Sequence, residues 1–340
     1  MRHCAWLHRS AAAALVLIGA SALAGCGSGS PSVLDPHSPQ ARRISNLFWL
    51  MLVMATFVYF AVVALVLLAL RKRGPAAGPG APDDTPEGRR RTNRFIIVGG
   101  LAIPIVILTV VALATVGTTK ALETEQGVIH VRIDAEQFWW RLIYPDDHVV
   151  SANEIHVPVG RSVELTLTSD NVIHSVWVPQ LQGKTDVVPG QTNKMTFTAE
   201  APGEYRGQCA EFCGIGHALM AFVVIAQPEQ DYNQWLRDNA ATPVAPTDAK
   251  AEAGQQVFVN GSCAGCHAVA GTSATATFGP DLTHFGSRRT IAALTVPNDP
   301  DHLAQWLAHT QRLKPGALMP NIDLTTDQVH QLVAYLEGLK

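Results

Sequence analysis

Two stretches of this 340-residue chain carry no charged side chain at all, residues 44–70 and residues 95–117. Each exceeds the roughly 20 residues that a helix needs to cross a 30 Å hydrocarbon core, so each is expected to span a bilayer. Pro104 lies inside the second run, where a kink is tolerated because neighbouring groups satisfy the freed backbone. Between the runs lie Arg71-Lys72-Arg73, a Pro/Gly/Ala stretch, and Arg89-Arg90-Arg91 with Arg94. Short basic loops stay on the cytoplasmic side, so the chain before the first span and everything after Thr118 is expected to face outward. Arg42 and Arg43 stand on the outer side, against seven basic residues in the loop. Neither span holds an Asp, Glu, Lys, Arg or His, so neither is expected to carry protons. They read as anchors or as docking surfaces for a partner.

The opening of the chain has its own pattern. A basic start, Met1-Arg2-His3, precedes an apolar core over residues 11–23 and then Leu23-Ala24-Gly25-Cys26. This is the layout of a secretory signal over residues 1–25. The Leu-Ala-Gly-Cys ending resembles a bacterial lipobox, which would make Cys26 an acylated mature N-terminus. An ordinary signal cleaved elsewhere is the alternative.

The outward part divides in two. Over residues 127–227, Ile129, Val131 and Ile133 alternate with His130, Arg132 and Asp134, and Val163, Leu165 and Leu167 alternate with Glu164, Thr166 and Thr168. Short alternating runs broken by Pro and Gly predict an all-β sandwich or Greek-key barrel. A small-residue linker follows at residues 240–247. Over residues 248–340 the strands stop, and apolar residues fall at helical spacing in 249–259, 301–311 and 326–339, which predicts a small all-α domain. The net charge of −3 suggests no nucleic-acid partner.

Four of the six cysteines form two close pairs in this outward part. Exported pairs often become disulfides, and that alternative stands for both. The first pair, however, sits in Cys209-Ala210-Glu211-Phe212-Cys213-Gly214-Ile215-Gly216-His217-Ala218-Leu219-Met220, between two predicted strands. Sulfur and imidazole on a β scaffold suit copper in electron transfer. Two cysteines can bridge two coppers and let one electron be shared, and a second imidazole is available at His174. Zinc competes, because two Cys and two His bind it tetrahedrally; the Met220 thioether favours copper. The second pair reads Cys263-Ala264-Gly265-Cys266-His267. Cys-x-x-Cys-His attaches haem c through two thioethers and presents its imidazole to the iron. Met319 is the one methionine of the helical region and the expected distal ligand, with His284 as the alternative. Gly279-Pro280 resembles the cytochrome c segment whose proline carbonyl orients the proximal imidazole.

On these residues the chain resembles cytochrome c oxidase subunit II. The spacing Cys-x-Glu-x-Cys-x-x-x-His-x-x-Met after His-Ser-x-Trp is similar to the CuA motif of that family, and the two preceding spans also match. The fused haem motif extends the likeness to the caa(3) type. The resemblance implies a multidomain membrane protein: a two-helix transmembrane hairpin, an all-β cupredoxin domain and an all-α cytochrome c domain. It implies a binuclear CuA centre ligated by His174, Cys209, Cys213, His217 and Met220, with Glu211 giving its backbone carbonyl. In the family the carboxylate at the Glu211 position meets magnesium at the boundary with subunit I. One haem c is implied on Cys263 and Cys266, with His267 and Met319 at the iron. The domains would lie on the outer face of a bacterial cytoplasmic membrane. Electrons would arrive from cytochrome c or another redox donor at the haem, pass to CuA and leave to subunit I of a proton-pumping oxidase. Other oxidase subunits are implied as partners, and no catalytic residue is expected in this chain. A free-standing redox carrier would need no pair of spans, and a copper chaperone would need no haem.

One segment departs from the family pattern. Where the family reads Gln-Trp-x-Trp at its electron inlet, this chain reads Gln137-Phe138-Trp139-Trp140, so Phe138 takes the contact position beside Trp139 and Trp140. Residues 127–226 hold six Lys and Arg against eleven Asp and Glu, a net of −5, and residues 248–340 hold six against eight, a net of −2. Like-signed domains are not drawn together by net charge. The expectation is that the tether keeps the haem domain near, with Phe138 and Trp139 lying beneath it.

Overall fold

The computed structural model describes residues 31–72, 85–123 and 129–340. The signal segment 1–25, Cys26 and residues 73–84 of the basic loop lie outside the described residues. Helix α1, Pro39–Lys72, contains the first apolar run. The second run lies in α2, Pro86–Phe95, a π-helical turn, Ile96–Ala102, and α3, Ile103–Glu123. Thr85 caps α2 by accepting the Gly88 amide, with Pro86 at the first helical position. The kink expected at Pro104 takes the form of that π turn. Proline lacks an amide hydrogen and its ring crowds the carbonyl four residues back, and a widened turn just before it relieves both faults. Ile103 accordingly donates to the carbonyl of Val98, five residues back. Apolar side chains such as Phe57 and Leu113 point outward along both helices, each 70% exposed in this single chain. The candidate spans are Pro39–Arg71 and Pro86–Leu122.

Helix α1 starts five residues before the apolar run for a reason visible at its foot. Ser38, Gln40 and Ala41 are buried. His37 donates its amide to Gln180 and accepts at its carbonyl from Glu200, tying the helix start to the β-domain. Arg42 pairs with Glu200, and Arg43 donates to the carbonyl of Ala121 in α3 at 2.7 Å. Of the two basic residues that run against the charge rule, Arg42 thus fastens the hairpin to the outer domain and Arg43 ties its two helices together.

That domain is the predicted β-sandwich. Its strands are β1 Ile129–Glu136, β2 Trp139–Tyr144, β3 Val149–Ala152, β4 Glu154–Pro158, β5 Val163–Ser169, β6 His174–Trp177, β7 Thr185–Val187, β8 Asn193–Phe197, β9 Gly203–Cys209 and β10 Ala221–Gln227. They form two five-stranded sheets, β3-β2-β1-β5-β8 and β4-β10-β9-β6-β7. The alternation read from sequence is realised: β1 and β5 pair in parallel with Val131 opposite Leu165 and Ile133 opposite Leu167, all four buried. The second sheet holds β6, β9 and β10 side by side, which brings His174 to the ends of β9 and β10.

Helix α4, Glu229–Ala240, fills what the sequence leaves unassigned before the linker. Its Tyr232, Trp235 and Leu236 fall at i, i+3 and i+4, and Trp235 stacks on His156 with ring centres 4.2 Å apart. The helical domain contains α5 Ala249–Asn260, α6 Pro300–Ala308, α7 Thr310–Leu313 and α8 Thr326–Gly338. It also pairs two short strands, β11 Thr290–Ile291 and β12 Val296–Pro297, so the expectation that strands stop at residue 248 is corrected in this detail. The turn between them runs through Ala292, Ala293 and Leu294, all with φ near +60°. Left-handed non-glycine residues are costly and persist only where surroundings hold them.

Helices α5 and α8 cross at Gly254. A Cβ there would overlap the Gln331 carbonyl and press on Tyr335 at 2.8 Å. Gly254→Val is therefore expected to destabilise the helical domain by about 1–3 kcal/mol, the usual cost of overpacking. Chemical denaturation followed by tryptophan fluorescence checks this, and a midpoint equal to the wild type's would show that the crossing relaxes freely.

Candidate functional site

The loop joining β9 to β10 gathers donor atoms at one end of the sandwich. Cys209 closes β9, and its amide donates to the Met220 carbonyl at 2.9 Å, which pins both ends of the loop together. Within it the Cys209 and Cys213 sulfurs stand 3.8 Å apart. A disulfide requires about 2.05 Å, so these two thiols are unbonded. His174 Nδ1 lies 3.8 Å from Cys209 Sγ, and His217 Nδ1 lies 3.7 Å from Cys213 Sγ. Met220 Sδ is 3.8 Å from Cys213 Sγ, and the Glu211 carbonyl oxygen is 3.1 Å from Cys209 Sγ. His174, Cys209, Cys213 and Met220 are buried. Every side chain expected at copper is thus present in one cluster, and Glu211 brings its carbonyl as expected.

The protonation chemistry favours a soft metal. Cys213 donates to Cys209, which, against the cost of burial, holds the Cys209 thiol well below the usual thiol range. The same contact, with burial, pushes Cys213 up. One negative charge is thereby shared by the pair until a cation replaces the second proton. The His174 ring is oriented by Asn171, whose side-chain oxygen lies 2.9 Å from Nε2. An amide oxygen can only accept, so Nε2 carries the hydrogen and Nδ1 presents its lone pair to the sulfurs. Two sulfurs, a thioether and imidazole nitrogens in one buried cluster fit copper better than zinc, for which the thioether is a poor ligand.

The side chain of Glu211 faces the loop before β7. It is 44% exposed and lies 3.6 Å from the Lys184 ammonium, which also faces Asp186.

The second cysteine pair opens into a cavity in the helical domain. Cys263, Cys266, His267 and Met319 all line it, between apolar walls that include Phe285 and Leu332. Both thiols are free. His267 Nδ1 donates to the Pro280 carbonyl at 2.8 Å, which leaves Nε2 unengaged for a metal. Gly279 allows this, because a Cβ there would stand 2.6 Å from the imidazole. Gln311 holds the Met319 backbone, donating to its carbonyl and that of Ala317 at 2.7 Å each. His284, the alternative distal ligand, lies away from the cavity and bonds the Ala241 carbonyl at 3.0 Å. Thiols, a free imidazole nitrogen and a thioether around an apolar space fit a covalently held haem.

The cavity is closed on one side by the β-sandwich. Gln137, Phe138 and Trp139 line it together with the residues above. Phe138 is 5% exposed, and its ring stands against Gly214 and Gly216 of the sulfur-bearing loop. Gln137 donates to the Cys213 carbonyl at 2.6 Å. Trp140 does not reach the cavity. It points to the opposite face of β2, where it is buried beside the His174 ring at 6.0 Å between centres. Of the three aromatics expected at an inlet, Phe138 and Trp139 line the cavity and Trp140 does not.

Sequence reasoning missed Lys314. It is buried, and its ammonium donates to the Phe138 carbonyl at 2.7 Å and to the Ala292 carbonyl at 2.8 Å. Burial pulls it down to about 7, partly offset by Cys213. A lysine in a loop beside Pro315 gives no sequence signal for such a role.

Replacing Asn171 tests the orientation of His174. Asn171→Leu is expected to weaken copper binding by about tenfold to a hundredfold, the usual effect of removing a partner that orients a ligand. Competition of the full chain against a copper chelator measures this. Unchanged affinity would mean that His174 is oriented without Asn171.

Comparison with known proteins follows the same division of the chain. The family described as cytochrome C oxidase subunit II, periplasmic domain, matches residues 145–227, and the cytochrome c family matches residues 251–340. Cytochrome c oxidase subunit 2 of Alkalihalophilus pseudofirmus is 37% identical over 330 residues, covering 94% of each chain. The protein of the same name from Bacillus sp. (strain PS3) is 30% identical over 347 residues, again covering 94% of each. The solved periplasmic domain of subunit II of cytochrome oxidase from Bradyrhizobium japonicum is similar over 34% of this chain and 95% of that one, at 25% identity and a TM-score of 0.33.

Proposed function

The chain belongs to the cytochrome c oxidase subunit II family, and we propose that it is the electron inlet of a haem–copper oxidase of the caa(3) type. Bound haem c and a binuclear copper centre would supply the one-electron chemistry, receiving electrons from a cytochrome c or another donor and passing them to subunit I. The observation that carries this reading is the shared wall: Gln137 and Phe138 border the haem cavity and also touch the copper loop.

In this reading Cys263 and Cys266 hold the haem, with His267 and Met319 at its iron. His174, Cys209, Cys213, His217 and Met220 hold copper with the Glu211 carbonyl. The buried sandwich keeps water from the sulfurs, and the pinned loop limits their movement when the charge of the centre changes. Phe138 and Trp139 separate the two cofactor sites with aromatic side chains in place of solvent. The two apolar helices anchor both domains to the outer face of the membrane and offer subunit I an apolar surface. Magnesium at Glu211 gains no support from this chain, since the carboxylate faces Lys184. The helical domain's net charge of −2 favours a basic external donor, with a rate that falls as salt rises.

Two experiments test the reading. The full chain should bind two coppers in the outer domain and, oxidised, show electron paramagnetic hyperfine from both nuclei. Cys209→Ser should abolish that sharing. Hyperfine from a single copper in the wild type would contradict the binuclear assignment. A chain ended after Asn239 should keep copper in the assembled oxidase yet accept electrons from soluble cytochrome c far more slowly. An unchanged rate would show that the haem domain is not the inlet.

A further inference from the structure

The contact between the two outer domains is more specific than a tether requires. Two polar groups are buried across it, and each is satisfied by the opposite domain's backbone. From the haem domain, Lys314 reaches the Phe138 carbonyl of the copper domain, 176 residues away in sequence. From the copper domain, the Glu154 carboxylate is 3% exposed and accepts the amides of Arg289 and Thr290 at 2.9 and 3.1 Å. Around them, Arg289 pairs with Glu204, and Arg141 donates to the Thr277 carbonyl. Gly316, at φ +81°, leaves the room that Ile215 of the copper loop occupies.

These contacts act on parts that matter. Lys314 joins the Phe138 carbonyl to that of Ala292, the first residue of the left-handed turn. Phe138 in turn stands on Gly214 and Gly216, and its neighbour Gln137 holds the Cys213 carbonyl. A displacement of Lys314 would therefore shift the wall between the haem cavity and the copper loop. Burying an ammonium and a carboxylate without a direct ion pair is costly unless every hydrogen bond is made, so the two groups favour one docked arrangement over its neighbours.

We infer that Lys314 is a positioning residue which, with Glu154, latches the haem domain onto the Gln137–Phe138 segment, so that haem and copper are held in one fixed arrangement. The inference rests on the reading that electrons pass from haem to copper within the chain. It adds that this passage occurs in a closed state and needs no search by a tethered domain.

The full chain in its oxidase complex allows both statements to be tested apart. Hydrogen exchange reports the latch without any redox step. In the wild type the segment carrying the Arg289 and Thr290 amides should exchange about a hundredfold more slowly than a free chain. In Lys314→Met it should lose most of that protection while the haem absorption spectrum stays unchanged. The rate of haem-to-copper transfer after photoreduction should be independent of added viscogen in the wild type. In Lys314→Met it should fall about tenfold or more, as small misplacements of reacting groups do, and become viscosity-dependent. Unprotected wild-type amides, or a viscosity-dependent wild-type rate, would overturn the latch. Protection and rate both unchanged in Lys314→Met would overturn the role of Lys314. Protected amides with no haem-to-copper transfer would leave the latch standing and remove the electron-transfer reading.

Discussion

Two sulfurs held 3.8 Å apart and unbonded are a demanding arrangement, because thiols so placed readily oxidise or repel once ionised. Much of the outer sandwich can be read as the means of holding them. Strands β9 and β10 fix the loop ends through the Cys209–Met220 bond, β6 delivers His174, and Asn171 turns its ring. On the side facing the helical domain, Gln137 takes the Cys213 carbonyl and Phe138 covers the glycines that follow. The haem cavity then abuts that same cover. The apolar hairpin is bound to the sandwich through His37, Ser38 and Arg42.

The parts of this arrangement that were legible in the sequence are those whose residues lie close together in it. The loop proposed to hold copper carries four candidate ligand side chains within twelve residues, and the Cys-x-x-Cys-His motif carries three candidates for haem within five. Met319 was legible by elimination, as the one methionine of its region. The long apolar runs and the period-two alternation of β1 and β5 gave the anchors and the sandwich. In each case a local pattern encodes a local structure.

What was not legible depends on contacts between distant segments. Lys314 and Phe138 meet over 176 residues, and Glu154 and Arg289 over 135. Nothing beside Lys314 or Glu154 marks either as buried. Trp140 reads as one of three neighbouring aromatics, and only strand alternation places it inward against His174. Net charge was also a poor guide to the seam. Two acidic domains meet through local pairs such as Arg289 with Glu204, and the sum over each domain conceals those pairs.

In the proposed function one chain holds haem and copper so that an electron passes between them without leaving it. The most direct test is the concentration dependence of copper reduction after the haem alone is photoreduced in the full chain. Transfer within one chain gives a first-order rate that stays constant as the chain is diluted. A rate proportional to chain concentration, which would mean transfer between separate molecules, would contradict it.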